Sequence, residues 1–344
     1  MFYKKILKPI LFLFDPEDVH DCFIGLGEFL GRFAITRFLI ALPYKYRGKD
    51  ISKTVDGIYY KTPFILAAGF DYNGRLTKIL PSLSFGGVEV GSVTARKCEG
   101  NPKPRLIRLV KSESILVNKG LKNEGVEAII KRLKSKTKQK DFVIGVSIAR
   151  TNDSQSSSTE EGIKDYCYSF RRLNEEDVGD FYTINISCPN AFGGELFTTP
   201  ELFENLLKQL KNIPCQKPVY VKLPINIEWE KLEKLLEIII SLNFNGVVIG
   251  NLNKKYDDLD FIEEAPAEFK GGLSGKVCFN LSNEVIKKTR EKYGKSITII
   301  GCGGVMSAKD ALYKKEIGSD LIQLISGIIY EGPSLLKKMA KAFP

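Results

Sequence analysis

The sequence predicts an α/β fold, a closed barrel of eight parallel strands of the (β/α)8 or TIM-barrel class, with a small helical extension at its N-terminus. Eight short apolar runs alternate mostly with amphipathic segments, which is typical of parallel strands joined by helices. Polar or glycine-rich clusters follow nearly every run, as expected if all the strand ends converge on one site. These clusters favour a barrel over the main alternative, a doubly wound open sheet. The predicted strands are residues 64–68, 87–93, 142–148, 181–187, 219–223, 247–250, 297–301 and 321–325.

Residues 1–42 differ in character from the rest and predict two short amphipathic helices ahead of a barrel over residues 43–344. In the first segment, three lysines between residues 4 and 8 lie among apolar side chains, as in helices that lie in a membrane interface. The second segment follows the cap signal Asp15-Pro16-Glu17 and places its apolar residues on one helical face. The alternative is that both helices simply pack on the barrel.

The composition excludes several classes of protein. No run reaches the roughly 18–20 uncharged apolar residues that cross a bilayer, and no small-residue cleavage site follows the first apolar stretch, so we expect neither a membrane-spanning nor a secreted protein. The net charge of +10 comes from dispersed lysines without interleaved aromatic residues, which favours anionic ligands or an anionic membrane surface over nucleic acid. Seven scattered cysteines without a C-x-x-C pair argue for a reducing compartment and against a metal site. The single histidine, His20, excludes catalysis by a histidine pair or a His–Cys relay inside the barrel.

The most informative segment is INISCPN, residues 184–190, because it places two amides and a thiol at the carboxyl end of a predicted buried strand. Asn185 and Asn190 offer donors and acceptors to a planar polar ligand. Cys188, between them, can take or give a proton near neutral pH. We interpret the segment as part of an active site. The alternative is a strand followed by a proline turn with a small buried cysteine.

Two glycine-containing turns predict a phosphate site. Gly303 and Gly304 lie between a predicted strand and a helix, so their backbone amides are free of side chains where the helix begins. The next strand ends in Ser326-Gly327, and phosphate sites after strands seven and eight are a recurring feature of such barrels. Alone, the Gly-x-Gly-Gly pattern of residues 301–304 is more often a tight structural turn.

Lys222 places a charge within the apolar run VYVKLP. Since an unpaired ammonium is costly to bury, an inward-facing Lys222 needs an anionic or electron-rich partner. A lysine that points outward from the barrel is the alternative. Two polar insertions, residues 153–161 and 253–269, are expected to be loops over the site, the second a lid.

Ordered matches over nearly the whole chain make the sequence resemble the dihydroorotate dehydrogenases, the flavin enzymes of pyrimidine synthesis. The N-terminal helices with LFDPE and His20, and the ending from GGLSGK onward, are similar to the quinone-dependent, membrane-associated class 2 enzymes. The matching segments are LAAGFDYNG, VEVGSVTARKCEGNPKPRLIRL, INISCPN, PVYVKLP, GGLSGK, IIGCGGV and LISGIIYEGP.

The resemblance implies a barrel that binds FMN and oxidises dihydroorotate to orotate. Cys188 lies where the family has the base that removes a proton from carbon 5, while a hydride leaves carbon 6 for the flavin. The resemblance further implies that a quinone entering between the N-terminal helices reoxidises the FMN, with the protein on the cytoplasmic side of the cell membrane. The implied pyrimidine contacts are Asn118, Asn185, Asn190 and Asn251, and the implied FMN contacts are Ala68, Gly69, Ser92, Ser147, Lys222, Gly250, Gly275, Gly303, Gly304, Ser326 and Gly327.

The chain departs from the family pattern in ways that bear on the substrate. Class 2 enzymes ordinarily have serine as the base, whereas INISCPN with Cys188, followed by Gly193-Gly194, is similar to the soluble class 1 enzymes. A thiol, with a reference pKa of about 8.5, acts as a base at lower cost than an alkoxide, so the role is preserved. Tyr72 replaces a lysine, a loss for which Lys119 or Lys122 can substitute, and Leu252 and Ser147 replace a threonine and an asparagine. The alternatives are therefore a flavin oxidoreductase for another cyclic amide or with a soluble acceptor, and an inactive membrane-peripheral flavoprotein.

Overall fold

The computed structural model describes residues 2–187, 196–254, 269 and 271–344. In chain order its strands are β1 (Lys53–Val55), β2 (Ile58–Tyr60), β3 (Phe64–Leu66), β4 (Gly87–Val93), β5 (Leu106–Leu109), β6 (Ser114–Val117), β7 (Val143–Ile148), β8 (Phe181–Asn185), β9 (Val219–Leu223), β10 (Gly246–Ile249), β11 (Gly272–Gly275), β12 (Thr298–Cys302) and β13 (Leu321–Leu324).

The helices of the described chain follow a short π-helical turn at Tyr3–Leu7. They are α1 (Lys8–Leu11), α2 (Pro16–Arg32), α3 (Ala34–Tyr44), α4 (Val126–Lys134), α5 (Thr159–Glu175), α6 (Pro200–Lys211), α7 (Trp229–Ser241), α8 (Phe279–Tyr293), α9 (Ala308–Glu316), α10 (Ser326–Glu331) and α11 (Ser334–Ala342).

Eight parallel strands close into a barrel in the order β10-β12-β13-β3-β4-β7-β8-β9, and the fold predicted from the sequence is confirmed. Each of the eight predicted apolar runs overlaps one of these strands, although β10 begins one residue before its run and β12 ends one residue after its run. Because the strands are parallel, all their carboxyl ends lie at the same end of the barrel.

Side chains alternate between the barrel interior and the layer beneath the helices, as strand geometry requires. In β8, Phe181 points inward and joins an interior cluster with Tyr220 of β9, whereas Tyr182 packs in the outer layer. The rings of Phe181 and Tyr220 meet edge to face, with centroids 5.4 Å apart. The hairpin β1–β2 adds Tyr60 to this cluster, so apolar side chains fill the end of the barrel opposite the strand carboxyl ends.

Helix α2 begins where the cap signal predicts, since the Asp15 carboxylate accepts hydrogen bonds from the amides of Glu17 and Asp18. The predicted second helix is in fact two helices, because Phe33 is extended at φ −101° and ψ 134°. The carbonyl groups left free at the end of α2 are satisfied from α3: Arg37 donates to Gly31 O at 2.7 Å, and the Thr36 hydroxyl donates to Leu30 O.

The N-terminal helices present a large apolar outer surface. No helix of the described chain has the length and hydropathy needed to span a membrane. The division of the chain at residue 42 stays a prediction, although α3 continues to Tyr44. The exposed apolar side chains include Leu13, Phe14, Phe23, Leu26, Phe29, Phe33, Ile35, Phe38, Leu39 and Leu42.

A three-stranded antiparallel sheet, β11-β6-β5, is present that the sequence analysis did not predict. The GGLSGK segment contributes its strand β11, paired with β6. The expected loop at residues 153–161 ends earlier, because Ser158 caps α5 by accepting from the Glu161 amide at 3.3 Å. Most of the expected lid, residues 253–269, lies outside the described residues.

The substitution Gly145→Ala is expected to destabilise the barrel, because a Cβ on this residue of β7 would overlap the ring of Phe181. We expect a loss of about 1–3 kcal/mol in the free energy of unfolding, measured by urea denaturation. The control is Gly25→Ala in α2, where a Cβ meets nothing within 4 Å and the stability should rise by up to about 1 kcal/mol. Equal effects of the two substitutions would contradict this explanation.

Candidate active site

A cavity lies at the carboxyl ends of the barrel strands, bounded by β6, β11 and helix α2. It is the place where residues distant in sequence meet, as the sequence analysis expects for a barrel. Of the predicted site residues, the ones that line this cavity are Ala68, Gly69, Tyr72, Ser92, Lys122, Asn185, Lys222, Asn251 and Ser326.

A chain of hydrogen bonds fixes the polar side chains on one wall of the cavity. The amide nitrogen of Asn185 donates to Ser92 Oγ at 2.8 Å, and Ser92 Oγ lies 2.8 Å from Ser147 Oγ. Ser187 Oγ donates to Asn185 Oδ1 at 3.1 Å and accepts from the Asn251 amide at 2.8 Å. Because each side chain is held by the next, the wall is preorganised for a ligand with amide-like edges.

Lys222 points into the barrel, at the base of the cavity, with 5% of its surface exposed. In the described part of the chain its ammonium group has neither a hydrogen-bond acceptor nor a carboxylate partner. A buried ammonium without an acceptor is unfavourable. The site therefore fits a group that offers electron density to Lys222, as the ring of a flavin does.

The loop that follows β12 has the geometry of a phosphate cradle. Gly303 and Gly304 have φ of +105° and +73°, a region that glycine adopts without strain. A Cβ at Gly304 would lie 2.5 Å from Phe279, so a side chain there would force the loop and helix α8 apart. Close by, Ser326 Oγ lies 2.8 Å from Ser274 Oγ. Free backbone amides and hydroxyl groups are the donors that a phosphate group accepts from.

A cluster of charged groups lies at the mouth of the cavity and connects it to α2. The Glu17 carboxylate, 2% exposed, accepts from Lys119 Nζ at 3.1 Å and Lys122 Nζ at 3.0 Å, and Arg105 Nη1 lies 3.5 Å away. Burial raises the pKa of Glu17, but these ammonium groups more than offset it, so the net pKa is lowered. For Lys119, burial lowers the pKa more than Glu17 raises it.

Tyr72 completes this cluster. Its hydroxyl group lies 3.1 Å from each of His20 Nδ1, Asp21 Oδ1 and Lys119 Nζ. Burial, followed by the charge of Asp21, raises the pKa of Tyr72, so the hydroxyl stays protonated. A hydrogen bond from His20, and then the charges of Lys122 and Lys119, lower the pKa of Asp21 despite its partial burial. Tyr72 therefore ties α2 to the barrel rather than presenting a charge to the cavity.

Not every predicted residue reaches the cavity. Asn118 accepts a hydrogen bond from Asn101 at 2.7 Å and does not line it. Cys188 and Asn190 lie outside the described residues, so their roles stay predictions. At Gly250, a Cβ would overlap Ile225, which is a packing reason for glycine. The remaining predicted FMN contacts do not line the cavity; they are Ser147, Gly275, Gly303, Gly304 and Gly327.

Glu17 and Asp21 belong to the site, although the sequence pattern does not indicate it. An acidic residue in the first turn of a helix is favourable because of the helix dipole, whether or not it belongs to a ligand site. The position of Glu17 in α2 therefore does not by itself indicate a functional role. Its partners Lys119 and Lys122 are more than a hundred residues away in the chain. Only the tertiary structure brings them together.

The fold and the cavity define a (β/α)8-barrel protein with a ligand site at the carboxyl ends of its strands. A family model described as dihydroorotate dehydrogenase matches residues 50–344. A Christiangramia forsetii protein named dihydroorotate dehydrogenase (quinone) is 37% identical over 97% of this chain and 96% of its own length. One of the same name from Shewanella frigidimarina is 33% identical over 100% of this chain and 99% of its own.

The solved structures agree on the fold. The crystal structure of DHODH from Eimeria tenella in complex with ferulenol matches with a TM-score of 0.80 and 22% identity, over 95% of this chain and 90% of that chain. The chain therefore belongs to the dihydroorotate dehydrogenase family, and the resemblance predicted from its sequence is confirmed. The proteins of this family are flavin-dependent oxidoreductases.

The substitution Glu17→Gln is expected to destabilise the protein at neutral pH by about 1–3 kcal/mol, because it leaves three cations without their shared buried carboxylate. The pKa of Glu17 in the folded protein lies below its ordinary value of 4.5. The ionised carboxylate therefore makes its full contribution to the free energy of unfolding above pH 4.5, and this contribution is lost as the pH falls through the pKa of the folded protein. The stability difference between the two proteins should thus be constant from about pH 8 to 5 and shrink only below about 4.5.

The measurement is urea denaturation of both proteins across this pH range. Glu284→Gln serves as the control, since Glu284 pairs with Lys288 on the surface and is 61% exposed, and its loss should change stability little. A difference that grows toward low pH would contradict the assignment of the effect to the ionised carboxylate.

Proposed function

We propose that this protein oxidises dihydroorotate to orotate in the synthesis of pyrimidine nucleotides, with FMN as the hydride acceptor and a quinone as the final acceptor. When bound, FMN would supply a ring system that can accept a hydride and pass on two electrons. Family membership and the quinone-dependent names of full-length relatives support this assignment. The single observation that carries it is the buried Lys222 ammonium, unpartnered in the described chain, at the base of the cavity.

The residues of the cavity fit the two ligands on different sides. Lys222, Ser92 and Ser147 would hold the flavin ring, and the turns at Gly303-Gly304 and Ser326-Gly327 would hold its phosphate. Asn185 and Asn251 would donate to and accept from the pyrimidine ring, since both amides are already fixed by their neighbours. Asn118 would have to leave Asn101 to join them.

Cys188 is proposed as the base that removes the proton from carbon 5 of dihydroorotate, and Asn190 as a further pyrimidine contact. The proposal comes from the position of Cys188 directly after the fixed Asn185 to Ser187 segment. A thiol with a reference pKa of about 8.5 is partly ionised near neutral pH, so it can accept the proton while the hydride leaves.

The charge cluster at the mouth of the cavity suits the carboxylate of the substrate. Arg105, Lys119 and Lys122 face two carboxylates, Glu17 and Asp21, which leaves an excess of positive charge. Lys119 is the more buried of the two lysines, with 13% of its side chain exposed against 29% for Lys122. A more buried cation attracts an anion more strongly, so Lys119 would compensate for the tyrosine at position 72.

The N-terminal helices are proposed to bind the cytoplasmic face of the cell membrane, where a quinone would enter. Their outer surface carries exposed apolar side chains such as Ile35, at 68%, and Phe38, at 60%. Such side chains lie favourably in the interface of a bilayer, and lysines near them favour anionic lipids.

Anaerobic addition of dihydroorotate is expected to bleach the visible absorbance of the bound flavin, and a short-chain quinone should restore it. In Cys188→Ala the FMN should stay bound while its reduction slows by about 10²–10⁴-fold, because the proton acceptor is lost. The measurement is stopped-flow absorbance of both proteins, with Cys188→Ser as the matched variant that should keep part of the rate.

Other outcomes would change the proposal in distinct ways. Unchanged reduction in Cys188→Ala would remove Cys188 from the mechanism. Bound flavin that dihydroorotate leaves oxidised would indicate another cyclic amide as substrate or a lost activity. Reoxidation by a soluble acceptor but not by a quinone would overturn the quinone assignment.

The double substitution Ile35→Glu, Phe38→Glu is expected to weaken binding to vesicles of phosphatidylglycerol and phosphatidylethanolamine by roughly tenfold or more, since two exposed apolar side chains lose their burial in lipid. Flavin bleaching by dihydroorotate should be unchanged. The control is Tyr59→Glu, an exposed aromatic residue of β2 at the far end of the barrel. Sedimentation of both variants equal to that of the unmodified chain would disprove the membrane assignment.

A further inference from the structure

Lys314, on helix α9, carries a fully buried ammonium group beside the loop that follows β12. Its exposed fraction is 0%. Nζ donates to Ser282 Oγ at 2.7 Å and to Asn283 Oδ1 at 2.8 Å, and it lies 5.6 Å from the centre of the Phe279 ring. All three of these partners belong to α8, so the ammonium group is enclosed between two helices.

The charge of Lys314 is not neutralised within the described chain. Its hydrogen-bond acceptors are uncharged, and no carboxylate of the described residues forms an ion pair with it. The charged or titratable groups that face it are Cys302 on β12, Cys278 before α8, and Asp310 on its own helix. Burial lowers the pKa of Lys314 to about 8, although these three groups raise it in part. A buried ammonium in such surroundings favours the arrival of an anion.

The groups that hold Lys314 also support the Gly303-Gly304 loop. Ser282 Oγ lies 3.4 Å from the carbonyl oxygen of Gly303 and 3.2 Å from that of Phe279, so this single hydroxyl connects the ammonium group both to the loop and to the first turn of α8. In a trans peptide the C=O of one residue and the N–H of the next point in opposite directions. The Gly304 amide is thus directed away from Ser282, and it has no acceptor among the described residues.

We propose that Lys314 is the electrostatic anchor of the FMN phosphate, acting from beneath the Gly303-Gly304 loop through Ser282. The inference rests on the proposed function, since it takes FMN as the ligand of this loop. Lys314 is a positioning residue rather than a direct contact. The phosphate supplies the anionic partner that the Lys314 ammonium group does not have within the described chain. Lys314 in turn fixes the Gly303-Gly304 peptide, whose N–H donates a hydrogen bond to the phosphate.

The pH dependence of FMN binding follows from this arrangement. A phosphate dianion nearby raises the pKa of Lys314 above its value of about 8 in the flavin-free protein. The affinity for FMN is therefore highest below about pH 8, and it falls by up to about tenfold per pH unit as the pH rises further. Riboflavin lacks the phosphate, so its affinity is independent of this titration. Ionisation of the flavin ring is common to both ligands and cancels in the ratio of their affinities.

The test measures the dissociation constants of FMN and riboflavin, by quenching of flavin fluorescence, for the full-length chain stripped of flavin. In Lys314→Met we expect about tenfold or more weaker binding of FMN, unchanged binding of riboflavin, and no fall of the affinity ratio above pH 8. Lys315→Met is the matched control, since Lys315 is the next residue of the same helix but is exposed, and it should behave as the unmodified chain does.

Equal weakening of FMN and riboflavin would overturn the inference and assign Lys314 a purely structural role. If Lys314→Met does not fold, the same affinities are measured for the unmodified chain as a function of pH. A ratio of FMN to riboflavin affinity that stays constant from pH 7 to about 9.5 would overturn the inference, and a fall of this ratio above about pH 8 would support it. A protein that binds neither flavin would overturn the proposed function as well, whereas FMN binding without these effects would overturn the inference alone.

Discussion

The parallel pairing that closes the barrel is the constraint on which the rest of the structure depends. It directs the carboxyl ends of eight strands to one side, so that Asn185, Lys222 and Ser92, each at or near a strand end, meet at a single cavity. Alternation within each strand divides the side chains in the same step. Phe181 and Tyr220 pack inside the barrel below the cavity. Asn185, four residues after Phe181, and Lys222, two residues after Tyr220, point to the same side of their strands and line the cavity.

The strands and the cavity were predictable because their signals are local. An apolar run followed by a polar cluster identifies a strand end without knowledge of its neighbours, which is why Asn185 and Lys222 were found. The antiparallel sheet was not predictable, because the glycines of β11 have low strand propensity and are ordered by pairing with β6. The break at Phe33 depends likewise on side chains of the next helix.

The buried lysines around the proposed site differ in whether a carboxylate of the protein neutralises their charge. At the cavity mouth, Lys119 and Lys122 share a buried carboxylate, so the protein itself neutralises part of their charge. Lys222 and Lys314 are buried without such a carboxylate in the described chain. Burying two ammonium groups without a carboxylate partner lowers the stability of the protein on its own. A bound anionic, electron-rich ligand would compensate for this cost. The stability of the protein should therefore be linked to occupancy of the site.

Helix α2 joins the apolar surface to the cavity, and Tyr72 explains how. Its outer face carries exposed Phe23 and Phe29, while its inner face carries Glu17 and His20. His20 Nε2 lies 2.8 Å from the carbonyl oxygen of Phe70, which is an acceptor, so this nitrogen carries a proton. His20 Nδ1 lies 3.1 Å from both Asp21 Oδ1 and the Tyr72 hydroxyl, so the three side chains form one hydrogen-bonded group. A lysine at position 72 would bring a further cation to the three already facing Glu17 and Asp21. Tyrosine instead adds hydrogen bonds without charge, and in doing so makes α2 part of the wall that a substrate would contact.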